Sequence, residues 1–304
     1  MKKILVIGSL NMDMTAQVEN LPKLGETILG HTFYESPGGK GANQAVSAGR
    51  LGADVTIIGK VGDDVYGKKL TDNLKINGVK TDGIVVSKEK GTGKALIVVD
   101  SNGDNMIVVL PESNSELTTA DIDSKIELVK AADMLVLQHE IPLETVKYVL
   151  ELGKKYGKIN ILNPAPAFKL DDSILELIDY LVLNETELEI ITGRENIPEN
   201  EYMSYCEKLL DKKVKNIVLT LGEKGGIYIN KENKYEYKAL KVKAVDTTAA
   251  GDSFLGGFLL KLSEEESVEN AITYAAGVSA LTVTKEGAQN SLPSKDEVEK
   301  FLNK

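Results

Sequence analysis

Short runs of apolar residues alternate along the chain with longer segments whose apolar positions recur at helical spacing. The runs are continuously apolar, as expected for strands of a parallel sheet that helices cover on both faces. The pattern therefore predicts an α/β fold with a central, mostly parallel sheet flanked by helices. The predicted strands are KILVIG at 3–8, DVTIIGKVG at 54–62, MLVLQ at 134–138, KINILN at 158–163, YLVLN at 180–184 and NIVLTLG at 216–222.

Polar residues stand at the carboxyl ends of several predicted strands. In open α/β sheets, ligands bind beyond those ends. We therefore expect one long active-site cleft lined by Asn11, Asp13, Glu140, Asn163, Asn184 and Thr220.

Two regions break this alternation, 14–37 and 93–111. In the second, two extended runs flank Ser-Asn-Gly-Asp at 101–104, whose glycine tolerates the positive φ of a tight turn, and this predicts a β-hairpin. A small sheet built from both regions cannot be stable alone and must pack on the main domain or on a partner chain. We predict a lid; a β insertion without function is the alternative. The chain shows no repeat or flexible linker, so we expect one domain over residues 1–304.

Composition narrows the choice of function. The net charge of −10 provides no basic excess for nucleic-acid binding. The single cysteine, Cys206, excludes an internal disulfide, and with two histidines the chain has too few ligands for a structural zinc site. The opening MKKILVIGSL fits a buried strand better than a signal peptide. Since no apolar run approaches the roughly 20 residues of a membrane span, we expect a soluble, cytoplasmic protein without a membrane partner.

The stretch VDTTAAGDSFLGGF at 245–258 carries the most specific chemistry. Its later apolar residues, Leu255, Phe258, Leu259 and Leu262, follow helical spacing, so a helix should begin near 250–252. The free N–H groups of a first turn bind anions, and Asp252 beside them could accept a proton during phosphoryl transfer. The alternative is that Asp252 only favours the helix dipole.

Three further motifs each have a structural alternative. The glycines of SPGGKGANQAVSAGRLGA at 36–53 precede a helix and could approach a ligand, although neither a Walker A loop nor a dinucleotide fingerprint is present. In LNETELEIITG at 183–193, Glu187 could hold hydrated Mg²⁺ or complete a capping box with Asn184. A phosphate site or a plain turn would explain TLGEKGG at 220–226 equally well.

His31, His139 and Cys206 lack the spacing of a metal or nucleophilic site. We expect Cys206 to lie buried or half-buried on a helix without a functional role.

Taken together and in order, the motifs resemble those of the PfkB carbohydrate kinases. PGGKGANQAV at 37–46 and DTTAAGDSFLGGF at 246–258 are similar to the paired signature of that family. The similarity runs the whole chain and includes GSLNMD at 8–13, NPAPA at 163–167 and VTKEGAQNSLP at 283–293. Within the family, the chain most resembles the members that phosphorylate D-ribose.

The resemblance implies transfer of the γ-phosphoryl group of ATP to the 5-hydroxyl of D-ribose. It makes Asp252 the base and Gly251 part of an anion hole. The implied sugar ligands are Asn11, Asp13, Gly39, Lys40, Gly41, Asn43, Glu140 and Asp252. The implied nucleotide residues are Asn184, Thr220, Gly222, Glu223, Gly225 and Gly251.

The resemblance also implies two cations and a dimer. Glu187 would act on Mg²⁺ through water, and K⁺ would order the loop that presents Asp252. The small sheet would pair two protomers. One departure is Ala276, where the family often has His or Asn near the adenine. The implied K⁺ ligands are Asp246, Thr248, the carbonyls of Thr282, Lys285 and Gly287, and Ser291.

Other functions compete with this one. A few side chains set the specificity of a sugar pocket, so a kinase for 2-deoxyribose, fructose or a nucleoside is the nearest alternative. A protein that binds sugar or nucleotide without turnover is an alternative of another class, and the intact Asp252 and Gly251 disfavour it. A dehydrogenase is disfavoured by the missing dinucleotide fingerprint.

Overall fold

A nine-stranded sheet forms the centre of the computed structural model, which describes residues 1–303. Its order is β13-β12-β11-β10-β9-β8-β1-β4-β5, with seven parallel strands from β11 to β5 and an antiparallel pair at the β13 end. Its strands are β1 Ile4–Ile7, β4 Val55–Gly62, β5 Val79–Ser87, β8 Met134–Leu137, β9 Ile159–Leu162, β10 Tyr180–Asn184, β11 Asn216–Thr220, β12 Gly226–Asn230 and β13 Lys234–Tyr237.

Helices cover both faces of this sheet, as the α/β pattern predicted. Alternate residues of the central strands enter two separate cores: Ile4 and Val6 pack with α1, α2 and α9–α11, whereas Leu5 and Ile7 pack with α3–α8. The helices are α1 Lys40–Arg50, α2 Val65–Ile76, α3 Thr119–Ser124, α4 Ile126–Ala131, α5 Leu143–Lys155, α6 Asp172–Leu175, α7 Glu185–Thr192, α8 Tyr202–Asp211, α9 Ala250–Ser263, α10 Val268–Thr282 and α11 Lys295–Leu302.

A four-stranded small sheet lies beside the main one. Its strands are β2 Asn11–Val18, β3 Gly30–Gly38, β6 Gly93–Val99 and β7 Asn105–Leu110, in the order β3-β2-β6-β7. The predicted hairpin forms between β6 and β7, with Gly103 at a φ of 88° in its turn. Asn11 and Asp13 lie in β2 rather than at the end of β1, because the chain passes from β1 into the small sheet within three residues.

None of the helices within residues 1–303 combines the length and the apolar character that a membrane span requires.

Candidate active site

The first turn of α9 places Asp252 deep in the molecule. The helix begins at Ala250, as predicted, and Ala249 before it adopts a left-handed conformation with a φ of 60°. A non-glycine residue is strained in that region, and such strain concentrates at functional sites. Asp252 is only 7% exposed although its side chain is polar, so its surroundings must provide hydrogen bonds.

Two backbone N–H groups of this turn are free. Ala250 donates to the carbonyl of Thr247 and Ser253 to that of Ala249, but the N–H groups of Gly251 and Asp252 have no acceptor within residues 1–303. A side chain at Gly251 would point into open space. The turn therefore offers two donors and the positive end of the helix dipole to an anion.

Asp252 lies where two hollows meet. The larger hollow, of about 810 Å³, is lined by Asn11, Asp13, Gly39, Asn43 and Glu140 among others. A smaller hollow, of about 210 Å³, is lined by Asn184, Glu187, Thr220 and Gly251 among others. Both share Lys40, Ala249 and Asp252. The structure thus places most of the predicted sugar residues around one hollow and half of the predicted nucleotide residues around the other, and the two hollows meet at Asp252.

Asn11 and Asp13 enter the larger hollow from β2. The side-chain oxygen of Asn11 accepts a hydrogen bond of 2.7 Å from the Asn114 amide, which fixes its orientation. Burial, reinforced by the carboxylates of Glu140 and Asp252, raises the pKa of Asp13 to about 7. A buried acid beside two others is poised to change charge near neutral pH.

Glu140 lies shortly after β8 and hydrogen bonds to the start of α1. One of its oxygens accepts hydrogen bonds from the Ser9 hydroxyl and from the backbone N–H of Lys40, the latter at 3.0 Å. Its position at the N-terminus of α1 is also favourable to its negative charge.

Two glycines shape the start of α1 in different ways. Gly39 has a φ of 89° and lines the larger hollow. Gly41, predicted to bind the sugar, lines neither hollow; it packs so closely on Gly8 that a side chain would clash with that backbone.

Asn43 reaches Asp252 directly. Its amide donates to a carboxylate oxygen of Asp252 at 3.0 Å, and its own carbonyl accepts from Gln289 at 3.0 Å. Asn43 therefore lines the larger hollow and holds the Asp252 carboxylate at the same time.

Lys40 carries a positive charge between the two hollows. Burial disfavours this charge, but the carboxylates of Asp252 and Glu140, with a smaller contribution from Glu187, raise the pKa of the ammonium group. Lys40 therefore stays charged at neutral pH and can offset the charge of a phosphate.

Asn184 and Glu187 form a capping box at the start of α7. The Asn184 side chain accepts from the Glu187 N–H at 2.9 Å, and the Glu187 carboxylate accepts from the Asn184 N–H at 3.0 Å. Burial raises the pKa of Glu187 even though this hydrogen bond and Lys40 oppose the shift. The second carboxylate oxygen has no hydrogen-bond partner among residues 1–303, so the cap and a hydrated Mg²⁺ ion are compatible.

The predicted nucleotide residues after β11 lie apart from the smaller hollow. Thr220 lines that hollow, but Gly222, Glu223 and Gly225 form or follow a short 3₁₀ turn outside its wall. Gly222 and Gly225 have φ angles of 55° and 98°, which favour glycine. Ala276 lies half-buried on α10, against the core.

The predicted K⁺ ligands come from two segments that hydrogen bond to each other. Asp246 accepts from the N–H and hydroxyl of Thr248 and from the N–H of Gly287, at 2.6–2.8 Å. These hydrogen bonds lower the pKa of Asp246 despite its burial. Thr282 and Ser291 are buried, and the N–H of Lys285 donates to the carbonyl of Thr282 in a turn. Carbonyl and hydroxyl oxygens of this kind suit a weakly held cation.

Within residues 1–303 no cluster of three or more His, Cys, Asp or Glu side chains could hold a metal. Burial lowers the pKa of His139 to about 4, so its imidazole, stacked on Phe168, is neutral at physiological pH. Cys206 is buried on α8, as predicted, and burial raises the pKa of its thiol to about 12.

Sequence reasoning missed a set of buried amides around Asp252. Gln44 donates to Asp252 at 2.9 Å and to Asn163 at 3.0 Å, and Gln138 donates to Gln44 at 2.6 Å. The available sequence signal was a second amide side chain directly after Asn43, in a helix whose neighbouring residues are mostly small or apolar. The structure shows that this residue, Gln44, is fully buried.

A model of the pfkB family carbohydrate kinases matches residues 1–295. The chain is 39% identical over 302 residues to the ribokinase of Haemophilus influenzae, with 99% of this chain and 98% of the relative covered. It is 40% identical to the ribokinase of Bacillus subtilis, with full coverage of both. A deoxyribokinase of Salmonella typhi is 38% identical, with 99% and 98% covered.

Solved structures agree with these relatives. A ribokinase of Thermotoga maritima superposes with a TM-score of 0.92 at 38% identity, covering all of both chains. The ribokinase of Arabidopsis thaliana, solved with ribose and ATP, gives a TM-score of 0.92 at 31% identity and covers 100% and 99%. The ribokinase-like α/β fold predicted from the sequence is thus confirmed, and the chain belongs to the pfkB family of carbohydrate kinases.

Proposed function

We propose that this protein transfers the γ-phosphoryl group of ATP to the 5-hydroxyl of D-ribose. The observation that carries this proposal is the position of Asp252, which borders both hollows beside two free backbone N–H groups. One hollow takes the sugar and the other takes the phosphates of the nucleotide. A reacting hydroxyl and a γ-phosphate can meet only where the hollows join.

Asp252 acts as the base in this scheme. As the sugar oxygen attacks the γ-phosphorus, its proton passes to the carboxylate of Asp252 and the bond to the departing ADP breaks. The N–H groups of Gly251 and Asp252 donate to the phosphoryl oxygens as charge develops on them. Lys40, held charged by the surrounding carboxylates, stabilises the same charge from the shared wall of the hollows.

Mg²⁺ and K⁺ complete the proposed site. Mg²⁺, when bound, would neutralise charge on the nucleotide phosphates, and the free oxygen of Glu187 would hold it through water. The side chains of Asp246, Thr248 and Ser291 and the carbonyls of Thr282, Lys285 and Gly287 would hold K⁺. Turnover should be faster in KCl than in NaCl at equal ionic strength, and equal rates would contradict the K⁺ assignment.

D-Ribose is the favoured substrate because full-length relatives at 39% and 40% identity are ribokinases. 2-Deoxyribose is the second candidate, since a deoxyribokinase is almost as similar at 38% identity. The two sugars differ by one hydroxyl, and a site with buried groups that bond this hydroxyl rejects the analogue strongly.

A sugar panel tests the proposal. Purified protein with ATP, Mg²⁺ and K⁺ is given D-ribose, 2-deoxyribose, fructose and a nucleoside, and ADP formation is coupled to an optical signal. We expect the highest kcat/KM for D-ribose. A higher value for another sugar would overturn the substrate assignment, and binding of sugar and ATP with no ADP from any sugar would overturn the kinase assignment.

The small sheet is proposed to act as a lid and as the interface of a homodimer. Its inner face contributes Ala95, Ile97, Ile107 and Val109 to the larger hollow, and exclusion of water there favours the sugar hydroxyl over water as acceptor. Its outer face leaves Phe33, Leu96, Met106 and Val108 exposed by 42–62%. An apolar sheet face of this kind is suited to a second copy of the chain.

A further inference from the structure

The carboxylate of Asp252 is held from both sides by buried amides. Asn43 donates to one of its oxygens at 3.0 Å, and Gln44 donates to the other at 2.9 Å. We propose that Gln44 is a positioning residue, which holds one oxygen of Asp252 at the junction of the two hollows; this inference rests on the proposed kinase function.

The orientation of the Gln44 amide is determined by its neighbours. Its carbonyl accepts a hydrogen bond of 2.6 Å from Gln138, so its NH₂ group must point the other way. The two protons of that group go to Asp252 and to Asn163, at 2.9 and 3.0 Å. Gln44 thus has no spare donor, and rotating its amide would set two carbonyl oxygens against each other.

Gln138 keeps this arrangement at a cost. Its own carbonyl oxygen is buried and has no hydrogen-bond partner within residues 1–303. It fits only because residue 8 is glycine, since a side chain there would overlap that oxygen. An unsatisfied buried carbonyl is unfavourable, so its presence calls for a compensating role. Orienting Gln44 is such a role.

Gln44 acts through Asp252 and not through a substrate. It is 0% exposed and lines neither hollow, so neither sugar nor nucleotide can reach it. Asn43, by contrast, lines the larger hollow and would affect sugar binding as well. Removing the Gln44 amide should therefore lower kcat while leaving KM for both substrates nearly unchanged.

The test compares Gln44→Leu, Asp252→Asn and the double variant with the wild type. We expect Gln44→Leu to lower kcat by about 10- to 100-fold, as is common when a group that orients a reacting residue is lost. KM for D-ribose and ATP should change by less than about twofold. In the Asp252→Asn background, Gln44→Leu should have no further effect on the residual rate, because the base that Gln44 positions has already been lost.

Asn160→Leu is the matched control. Asn160 is also a fully buried amide, and it donates to the carbonyls of Leu150 and Leu177 away from both hollows. We expect this variant to lower the melting temperature and to keep the kcat of the wild type.

Three results would overturn the inference. They are a wild-type kcat in Gln44→Leu, an increase in KM in place of a fall in kcat, and a fall in kcat in the Asp252→Asn background as large as the one in the wild-type background. If Gln44→Leu does not fold, Gln138→Leu replaces it; it frees the Gln44 carbonyl and should lower kcat alone, by a smaller factor. An unchanged kcat in Gln138→Leu would also overturn the inference. A wild type that forms no ADP with any sugar would instead contradict the proposed function.

Discussion

Asp13 places an acid in a hollow that already holds Glu140 and Asp252. With its pKa raised to about 7 by burial and by those carboxylates, Asp13 is mostly neutral at pH 6 and mostly ionised at pH 8. Sugar hydroxyls donate more strongly to a carboxylate than to a neutral acid. We therefore expect the Kd for D-ribose, measured by calorimetry, to fall by up to about tenfold between pH 6 and pH 8.

Asp13→Asn is the control for this pH effect. It removes the titration, so its Kd should be nearly constant over the same range. Lys40 keeps its charge and His139 stays neutral across that range, so neither can substitute for Asp13. A wild-type Kd that does not depend on pH, or an equal dependence in Asp13→Asn, would contradict the assignment.

The same shift has a consequence for stability. Because the folded pKa of Asp13 lies above its unfolded value, the folded state binds the proton more tightly, and stability is lost as pH rises from about 4 to 7. Asp13→Asn should consequently raise the melting temperature more at pH 8 than at pH 4. An equal change at both values would argue that Asp13 is not perturbed.

Individual residues show where sequence reasoning reached its limit. The glycine-rich motif and Asp252 were recognised as candidate site residues because glycines ahead of a helix and a carboxylate in the first turn of a helix are visible in the sequence. The bonds of Asn43 and Gln44 to Asp252 were not, because residues more than 200 positions apart meet only through the fold. For Glu187, the structure confirms the capping box and leaves the Mg²⁺ role a prediction, which is compatible with the cap because the cap occupies only one carboxylate oxygen.

At the scale of elements, the N-terminus of α9 offers a direct test of the anion site. Gly251→Ala adds a methyl group that meets no protein atom and projects into the open space beside the first turn of α9. Alanine favours the helix, so the melting temperature should stay the same or rise. Turnover should fall by about tenfold or more, because the phosphoryl group loses close contact with its donors.

A variant that keeps its melting temperature but loses turnover indicates a ligand site, because a purely structural turn would leave turnover unchanged. Coupled ADP assays and thermal unfolding of the same preparation provide both values. Full activity in Gly251→Ala would show that no anion approaches this turn.

The strands that were predicted and those that were missed differ in burial. Strands β1 and β8 are fully buried, and their continuous apolar runs revealed them. Strands β5 and β13 lie at the sheet edges and mix buried or half-buried positions with exposed ones, so their composition resembles that of loops. Strand β13, at the antiparallel end of the sheet, was missed for this reason.

At the scale of the whole molecule, the small sheet determines the assembly that we propose. Val108→Lys places a charge on its outer face, at a position 57% exposed in the single chain. In light scattering, we expect the wild type to be dimeric and this variant to be folded and monomeric. The dimer should be lost because burying a lysine between two apolar faces is unfavourable.

Ile76→Lys is the matched control for the dimer. Ile76 is 84% exposed on α2, outside the small sheet, and the same change there should leave the dimer intact. A monomeric wild type, or a dimeric Val108→Lys, would contradict assembly through this face.

The proton acceptor is tested most directly by the turnover of Asp252→Asn with D-ribose and ATP, alongside calorimetric binding of each. The amide keeps the size of the side chain and gives up only one of the two hydrogen bonds that Asp252 accepts from Asn43 and Gln44, so both substrates should bind within a few-fold of the wild type. Since asparagine cannot take the hydroxyl proton, kcat should fall by about 10² to 10⁴. A variant that binds both substrates and turns over at the wild-type rate would contradict the account.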